Sequence, residues 1–575
     1  MNRPPLCACF NRLIFGPRRL FTMFVSIVHL IGVIVLATNC RVQASGWGQT
    51  VFSVENDHQK ANPSSFSIPR PFQRAKRIAI IGAGPGGTST AYFLSRAQKK
   101  LQDIGRGNEG FELTLFEKEE RIGGRTAVVH PYYDETLPAI ELGASIFADV
   151  NMNLKRIAQD FKLETKAKLG EDGTIGVWDG QQFLMEGLDN GWWNSARMFW
   201  RYGYSPITTQ KVVKKIVDRF LQLYDPIYLH KTKEEGSKET SSGFPWSSIQ
   251  DLAKAMELDD LAAQNAGDYY YSQGVGKLFT EEIIEAATLV NYGQEIYSIH
   301  GVGGGVSLAA SGAVGITGGN YLIFEEFLGR CDNLKLRLGV HGEVTGLARF
   351  KTVEDAIQAG KLSREEATSR GHLNRTITTN EEKSGLTTKW WLGTKSGYGD
   401  LFDAVFIAVP WHSSGITLMN TQSVIPIYDY VHLHVTILVT TAKQPDPTYF
   451  GRGKGDSIPT SILTSHISIR KAEEQRKKDE KKKEEGGGQK KAGKRGWWPG
   501  KGDGAAKGPL LEFNSLSYLE SIDSKEEGND KEHIVKLFST SELSDAKLED
   551  IFGQGEVKWV HRKQWDAYPC KSWFL

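Results

Sequence analysis

Cysteine is scarce. Five occur in 575 residues (Cys7, Cys9, Cys40, Cys331 and Cys570), and no two form a CxxC pair. A zinc ribbon and a thioredoxin-type site are therefore excluded, and no metal site is expected. Three of the five fall in or beside the first 44 residues, which leaves two for the body, too few for a disulfide scaffold. Net charge is nearly absent as well. Lys and Arg number 70 against 68 Asp and Glu, a formal charge of +2, which gives no support to a nucleic-acid binder. The small excess is local, since residues 470–507 carry 14 basic and 7 acidic side chains. No fixed-period repeat and no GxSxG elbow occur, so neither a solenoid nor a Ser-His-Asp hydrolase is indicated.

Apolar mass is ample. Hydrophobic residues make up 40% and aromatics 10%, which excludes wholesale disorder. The length suits three or four domains, or one large α/β unit with an inserted domain.

No acidic residue precedes Glu55. Arg3, Arg12, Arg18 and Arg19 lead into the apolar run 20–37, and Val42-Gln43-Ala44 offers a small-residue cleavage site. Residues 1–44 read as a signal peptide, with a retained signal anchor as the rival. Charge bias puts the body on the lumenal side in both cases. A mitochondrial leader fits less well, because transit peptides are amphipathic. As an anchor, the apolar segment would provide membrane association. Residues 45–75, with Pro63, Pro69 and Pro71, read as a linker, and Asn374-Arg375-Thr376 is an N-glycosylation sequon at Asn374.

Hydrophobic patterning predicts strands at 77–81, 111–117, 334–338 and 344–350, and a buried strand at 403–409. Helices are expected at 88–96, within 192–223, at 252–261 and 280–290, with a short polar helix at 354–367. The low-complexity stretch 471–508 reads as a disordered surface insertion. Its Lys/Glu half is also compatible with a solvated helix; its Gly-rich half is not.

Gly82, Gly84 and Gly87 form GxGxxG, with Gly86 beside the third glycine, after the strand 78–81 and at the start of a helix. The first glycine allows a tight turn. The second lets backbone approach a pyrophosphate at the helix N-terminus, and the third allows close helix–strand packing. Glu117 ends the second strand, where a carboxylate can accept from ribose hydroxyls and repel a 2′-phosphate. Arg121-Ile122-Gly123-Gly124-Arg125 follows. Gly124 lets this loop pass close to a cofactor, and Arg125 can pair with phosphate. Glu141-Leu142-Gly143-Ala144-Ser145 then sets small residues (Gly143, Ala144, Ser145) where a flat ring can lie against backbone.

This ordered series resembles the FAD-dependent amine-oxidase-like flavoproteins. Within them the chain most resembles the prenylcysteine oxidase (prenylcysteine lyase) family. The resemblance rests on residues 77–125, on 143–161 with Asn153-Leu154-Lys155-Arg156, and on Leu289-Val290-Asn291-Tyr292-Gly293-Gln294. It continues through 303–322 with Gly318-Gly319-Asn320, through 402–410, and through Trp565-Asp566-Ala567-Tyr568-Pro569.

The resemblance implies an α/β fold, a Rossmann-type FAD-binding domain with an inserted α+β substrate domain. The FAD domain would draw on 76–165 and 331–410, and the substrate domain on 166–330 and 411–575. Val344 matches a position that pairs backbone with adenine, and Asn291, Tyr292 and Gln294 match the substrate side. The implied activity is oxidation of the thioether of farnesyl- or geranylgeranylcysteine by FAD and O2, giving cysteine, a prenyl aldehyde and hydrogen peroxide. Its setting would be the breakdown of prenylated proteins in the secretory pathway, in a lysosome or vacuole. No protein nucleophile is required, and catalytic residues are not assigned. His300, His412, His432 and His434 read as satisfied or exposed histidines rather than bases. Trp192, Trp193, Phe199 and Trp200 read as helix core, or else as the lining of a prenyl channel. The family carries a further strand and helix after Ala567-Tyr568-Pro569, and here Leu575 is the last residue, so the expectation is weakened flavin binding. Two other readings stay open: another flavoenzyme of the class acting on an apolar amine or alkene, and a non-catalytic lumenal binding protein.

Overall fold

The computed structural model describes residues 75–105, 110–167, 174–187, 192–225, 246, 248–309, 313–373, 388–485, 511–524 and 531–570. The expected leader 1–44, nearly all of the linker 45–75 and the sequon at Asn374 lie outside them.

The first strand, β1 (Lys76–Ile81), runs into a helix, α1 (Pro85–Asp103), and returns as the parallel strand β2 (Phe111–Phe116). Two more parallel strands complete a four-stranded sheet in the order Ala404–Ile407, β1, β2, Lys335–Arg337. Both faces of β1 are covered, which is why it reads as a continuous apolar run. Ile78 and Ile80 pack with Ala91 of α1 and with Leu113 and Leu115. Ala79 and Ile81 pack with Phe116, Val344, Leu392 and Phe402. Val344, Leu392 and Phe402 belong to a second four-stranded sheet, ordered Gly399–Phe402, Lys389–Thr394, Val344–Phe350, Thr417–Met419.

Arg77 joins the two sheets. Its Nη1 lies 3.1 Å from Asp400 Oδ1, with Nη2 on the other oxygen, and Asp400 also accepts from His372 and Tyr398. Burial works to raise the Asp400 pKa. The hydrogen bonds from His372 and Arg77 outweigh it and hold the carboxyl well below the usual range.

A seven-stranded sheet forms the second half of the molecule. Its order is Val557–Pro569, Tyr430–Thr440, Lys531–Ser539, Ser515–Asp523, Ser461–Thr464, Ile175–Trp178, Phe183–Glu186. All its pairings are antiparallel except that of Ser461–Thr464 with Ile175–Trp178. A helical group centred on Tyr270, Phe279, Ile284 and Ile216 packs on it through Val177 and Leu463. Glu285, fully buried in this group, is held by the guanidinium of Arg470.

Four expectations need correction. Residues 403–409 form an edge strand rather than a buried one, and Phe406 and Ile407 are exposed. The helix expected at 252–261 is two, Ile249–Ala255 and Asp259–Ala262, parted where Glu257 takes φ +52°. The polar helix at 354–367 is likewise two, Val353–Gln358 and Arg364–Ser369. Thr352 with Asp355 and Ser363 with Glu366 each close a capping box, so each short helix starts independently. The Lys/Glu part of 471–508 is helical, the end of a helix over Ile467–Glu485, and residues 486–508 lie outside the described set. Ile467 is buried and roots that helix, while residues 471–478, 480 and 481 are exposed.

Candidate dinucleotide site

Three loops meet at the carboxyl ends of the parallel strands. Gly82 follows β1 with φ +99°, and a Cβ there would come within 2.7 Å of Ala408 O, on the loop after Ala404–Ile407. At Gly87 a Cβ would strike the carbonyl oxygen of Gly82, so α1 can sit this close to β1 only with glycine at that position. Gly84 is the N-cap of α1, with no side-chain cap, and the first turn holds no acidic residue. Pro85 has no N–H, so the amides of Gly86 and Gly87 are the first donors the helix presents. Beside Gly84 there is room: a Cβ would meet only the Cα of Gly124, at 3.8 Å. Gly124 itself has φ +56°, which brings the 121–125 loop against the 82–87 loop. An open glycine N-cap on a 19-residue helix is a site for an anionic group.

Glu117 is buried at the end of β2. One carboxylate oxygen accepts from Ala83 N–H at 2.7 Å, and the other accepts from Glu119 N–H at 3.0 Å. The carboxylate therefore braces the glycine loop and still has acceptor sites for a hydroxyl pair. Arg125 donates from Nη1 to the backbone carbonyls of Asp566 and Ala567, tying the loop to the C-terminal strand of the large sheet.

The 141–145 segment is fixed from three sides. Gly143 packs so closely that a Cβ would strike Arg125 O. Asn320 donates its amide N–H to the Glu141 carboxylate at 2.5 Å and its side-chain NH2 to Ala144 O at 2.7 Å. Lys536, buried in the large sheet, donates to Glu141 O at 2.7 Å and to Ser145 Oγ at 2.8 Å. Sequence reasoning missed Lys536. The lone lysine in Ile534-Val535-Lys536-Leu537, a run of apolar strand residues, was the signal. Val344 is a buried core residue at the start of its strand, paired in register with Thr394.

The three residues expected on the substrate side separate. Asn291 donates to Ala287 O and Ser307 O and ties two helices together. Tyr292 and Gln294 turn toward the C-terminal strand. Tyr292 sits edge-on to Tyr568 with ring centres 5.2 Å apart, and burial pushes its hydroxyl pKa up to about 12. Gln294 Nε2 approaches Pro569 O at 3.4 Å. His300 accepts from Gly303 N–H as a helix cap. His412 and His432 bracket Asp566, at 2.9 and 2.6 Å. The hydrogen bond from His412 and the nearby charge of His432 hold Asp566 below the ordinary carboxylate range. Phe199 and Trp200 are exposed rather than helix core, Trp200 lines an open pocket with Leu184, Met185 and Met198, and the side chains of Trp192 and Trp193 lie outside the described set.

The helix N-cap, the buried carboxylate at the next strand end and the glycine loop laid against both define a dinucleotide-binding protein of the Rossmann class. A model of the NAD(P)-binding Rossmann-like domain matches residues 80–161, and one of prenylcysteine lyase matches 185–573. The chain belongs to the prenylcysteine lyase family, which places it among the oxidoreductases. It is similar to prenylcysteine oxidase 1 of Mus musculus, 27% identical over 523 residues, 88% of this chain and 82% of that one. The Pongo abelii protein of the same name is 24% identical over 505 residues, covering 86% and 80%. Among solved structures, a redesigned putrescine oxidase aligns over 85% of both chains at 11% identity, with a TM-score of 0.43, a likeness too slight to add to the topology itself.

Proposed function

We propose that the chain is an FAD-dependent prenylcysteine oxidase that cleaves the thioether of farnesyl- or geranylgeranylcysteine. The observation that carries this reading is the match of the family model across 185–573, joined to a glycine N-cap and a buried Glu117 suited to a dinucleotide. Bound FAD would supply the two-electron acceptor that the side chains lack. In the net reaction, prenylcysteine, water and O2 give cysteine, prenyl aldehyde and hydrogen peroxide. A hydride leaves the allylic carbon beside sulfur, water oxygen bonds to that carbon, and the C–S bond breaks with sulfur keeping the electron pair and gaining a proton.

The chain's own residues hold and orient. The amides of Gly86 and Gly87 would hold the pyrophosphate, and Glu117 would accept from the ribose. Asn320 and Lys536 fix the small-residue segment 143–145 against which the flavin ring would lie. Tyr292 and Tyr568 offer paired aromatic surface, which suits a prenyl chain. The reaction is assigned to a lumenal compartment, lysosome or vacuole, on the reading of residues 1–44, and there to prenylated-protein breakdown.

The test is an anaerobic titration of purified protein with farnesylcysteine. Bleaching of flavin absorbance near stoichiometric substrate is expected. A flavin that stays oxidised with farnesylcysteine and bleaches with an apolar amine overturns the substrate assignment.

A further inference from the structure

The residues expected to fill a core or a channel instead stand outside. Helix α2 (Trp192–Tyr202) stops where Gly203 takes φ +58°, and α3 (Ser205–Leu221) starts two residues later with Pro206 near its first turn. Between them the chain turns a corner. At this corner Trp200 is 87% exposed, Tyr204 70% and Phe199 42%. Ser205 Oγ accepts from Gly276 N–H at 3.0 Å, which brings Leu278, 37% exposed, into the same neighbourhood. Phe199 and Tyr204 hold each other edge-on, with ring centres 5.4 Å apart. Leaving four large apolar side chains in water at one corner is unfavourable, and exposed apolar groups gathered in this way mark contact surfaces.

The charges around the patch are mostly basic, and the acidic groups nearby are already paired: Glu186 with Arg452, Glu281 with Lys277 at 3.7 Å and Glu282 with Arg201. The two segments, 197–204 and 271–278, contain Arg197, Arg201 and Lys277 and no acidic residue. Arg197 and Lys277 are exposed, and Arg201 leans on the buried Glu282 at 2.7 Å. Along α3 the exposed Lys211, Lys214 and Lys215 continue the basic face, with Asp218 pairing to Lys214 alone. Trp and Tyr with an apolar body and a polar tip, flanked by snorkelling cations, are the side chains that settle at a bilayer's headgroup level. Trp200 stands at the mouth of an open pocket that it shares with Leu184, Met185 and Arg197, and its ring remains mostly in water, so the complementary surface is one that lets it in. The missing negative charge is what an anionic leaflet supplies.

We propose that the corner of Phe199, Trp200, Tyr204 and Leu278 is a docking site for an anionic lipid surface, with the aromatic rings entering the headgroup layer and Arg197 and Lys277 on lipid phosphates. The site is separate from the dinucleotide loops and does not depend on the reaction proposed above.

The experiment is hydroxyl-radical footprinting of the full chain with and without vesicles of phosphatidylcholine and phosphatidylserine at a 7:3 ratio. Local readout matters here because the apolar segment 20–37 can bind vesicles by itself. Modification of Trp200, Tyr204 and Leu278 is expected to fall at least threefold, while Tyr133, exposed in another part of the chain, keeps its rate. Phosphatidylcholine alone should protect the patch at least fivefold more weakly at the same lipid concentration. The double variant Phe199→Ser/Trp200→Ser, with an unchanged melting temperature, should lose protection at Tyr204 and Leu278. Unchanged modification of the patch, equal protection of Tyr133, or full protection at Tyr204 and Leu278 in the double variant overturns the proposal. Protection without lipid that grows with protein concentration also overturns it, in favour of contact between two copies of this chain.

Discussion

The Arg125 guanidinium donates to the backbone carbonyl of Ala567, 442 positions further along the chain, and through the same nitrogen to Asp566. The arginine expected to meet a phosphate thus clasps the C-terminal strand of the other sheet. Both bonds use Nη1, so Nε and Nη2 point elsewhere on the fork. Replacing Arg125 with alanine should loosen the 121–125 loop and lower stability by about 1–2 kcal/mol, the weaker end for charge-assisted bonds because the site is solvent-facing. Urea unfolding checks it. A loss within error would mean that the clasp carries no energy.

Two neighbouring glycines should behave differently. Gly87→Ala puts a methyl into Gly82 O and should destabilise the fold, with flavin or without it, by about 1–3 kcal/mol. At Gly84 a Cβ meets only the Gly124 Cα, at 3.8 Å, so Gly84→Val should lower the apoprotein melting temperature less than Gly87→Ala while eliminating flavin retention. Melting curves and the 450 nm absorbance of both variants separate the effects. Full flavin occupancy in Gly84→Val would place the cofactor elsewhere.

Glu117→Ala removes the acceptor from the Ala83 amide, which lies in a buried loop. A buried N–H left without a partner costs about 1–3 kcal/mol. Flavin affinity should weaken by roughly ten-fold or more, since about 1.4 kcal/mol is a factor of ten. Equilibrium dialysis reads this, and an unaltered affinity would refute the role of Glu117.

Asp400 predicts a pH response. Its folded pKa is held below its unfolded value, so the stability from the Arg77–Asp400–His372 contact is fully present above about pH 4, the ordinary aspartate range. It is lost as pH falls through the lower folded value. Asp400→Asn should flatten the acid side of the melting-temperature profile. An identical slope in both proteins would show that other carboxylates govern it.

Local pattern was legible where one principle acted alone. The run Ile78-Ala79-Ile80-Ile81 followed by glycines announced a buried parallel strand and a helix start, and both are there. Val344–Phe350 forms the expected strand, with only Thr345 and Arg349 exposed. Failures came where two signals competed. Residues 354–367 carry enough helical propensity for one helix, yet Gly360 at φ +67° and two capping boxes split it. Residues 403–409 are apolar enough for a central strand, yet their place at the sheet edge is a long-range fact that no local pattern contains. The site divides the same way. The glycines and Glu117 follow from backbone sterics and strand ends, whereas Lys536 reaches Ser145 from 391 residues away, and only pairing of the strands brings it there.

The order of strands in the small parallel sheet has a consequence for synthesis. β1 and β2 leave the ribosome early, but their outer neighbours, Lys335–Arg337 and Ala404–Ile407, are made more than 200 residues later. The large sheet waits longer still, since Ile175–Trp178 pairs with Ser461–Thr464 and the outermost strand ends at Pro569. For most of translation the nascent chain carries apolar strands with unpaired edges. Such chains fold slowly, and until the last partner arrives they need chaperone cover against aggregation.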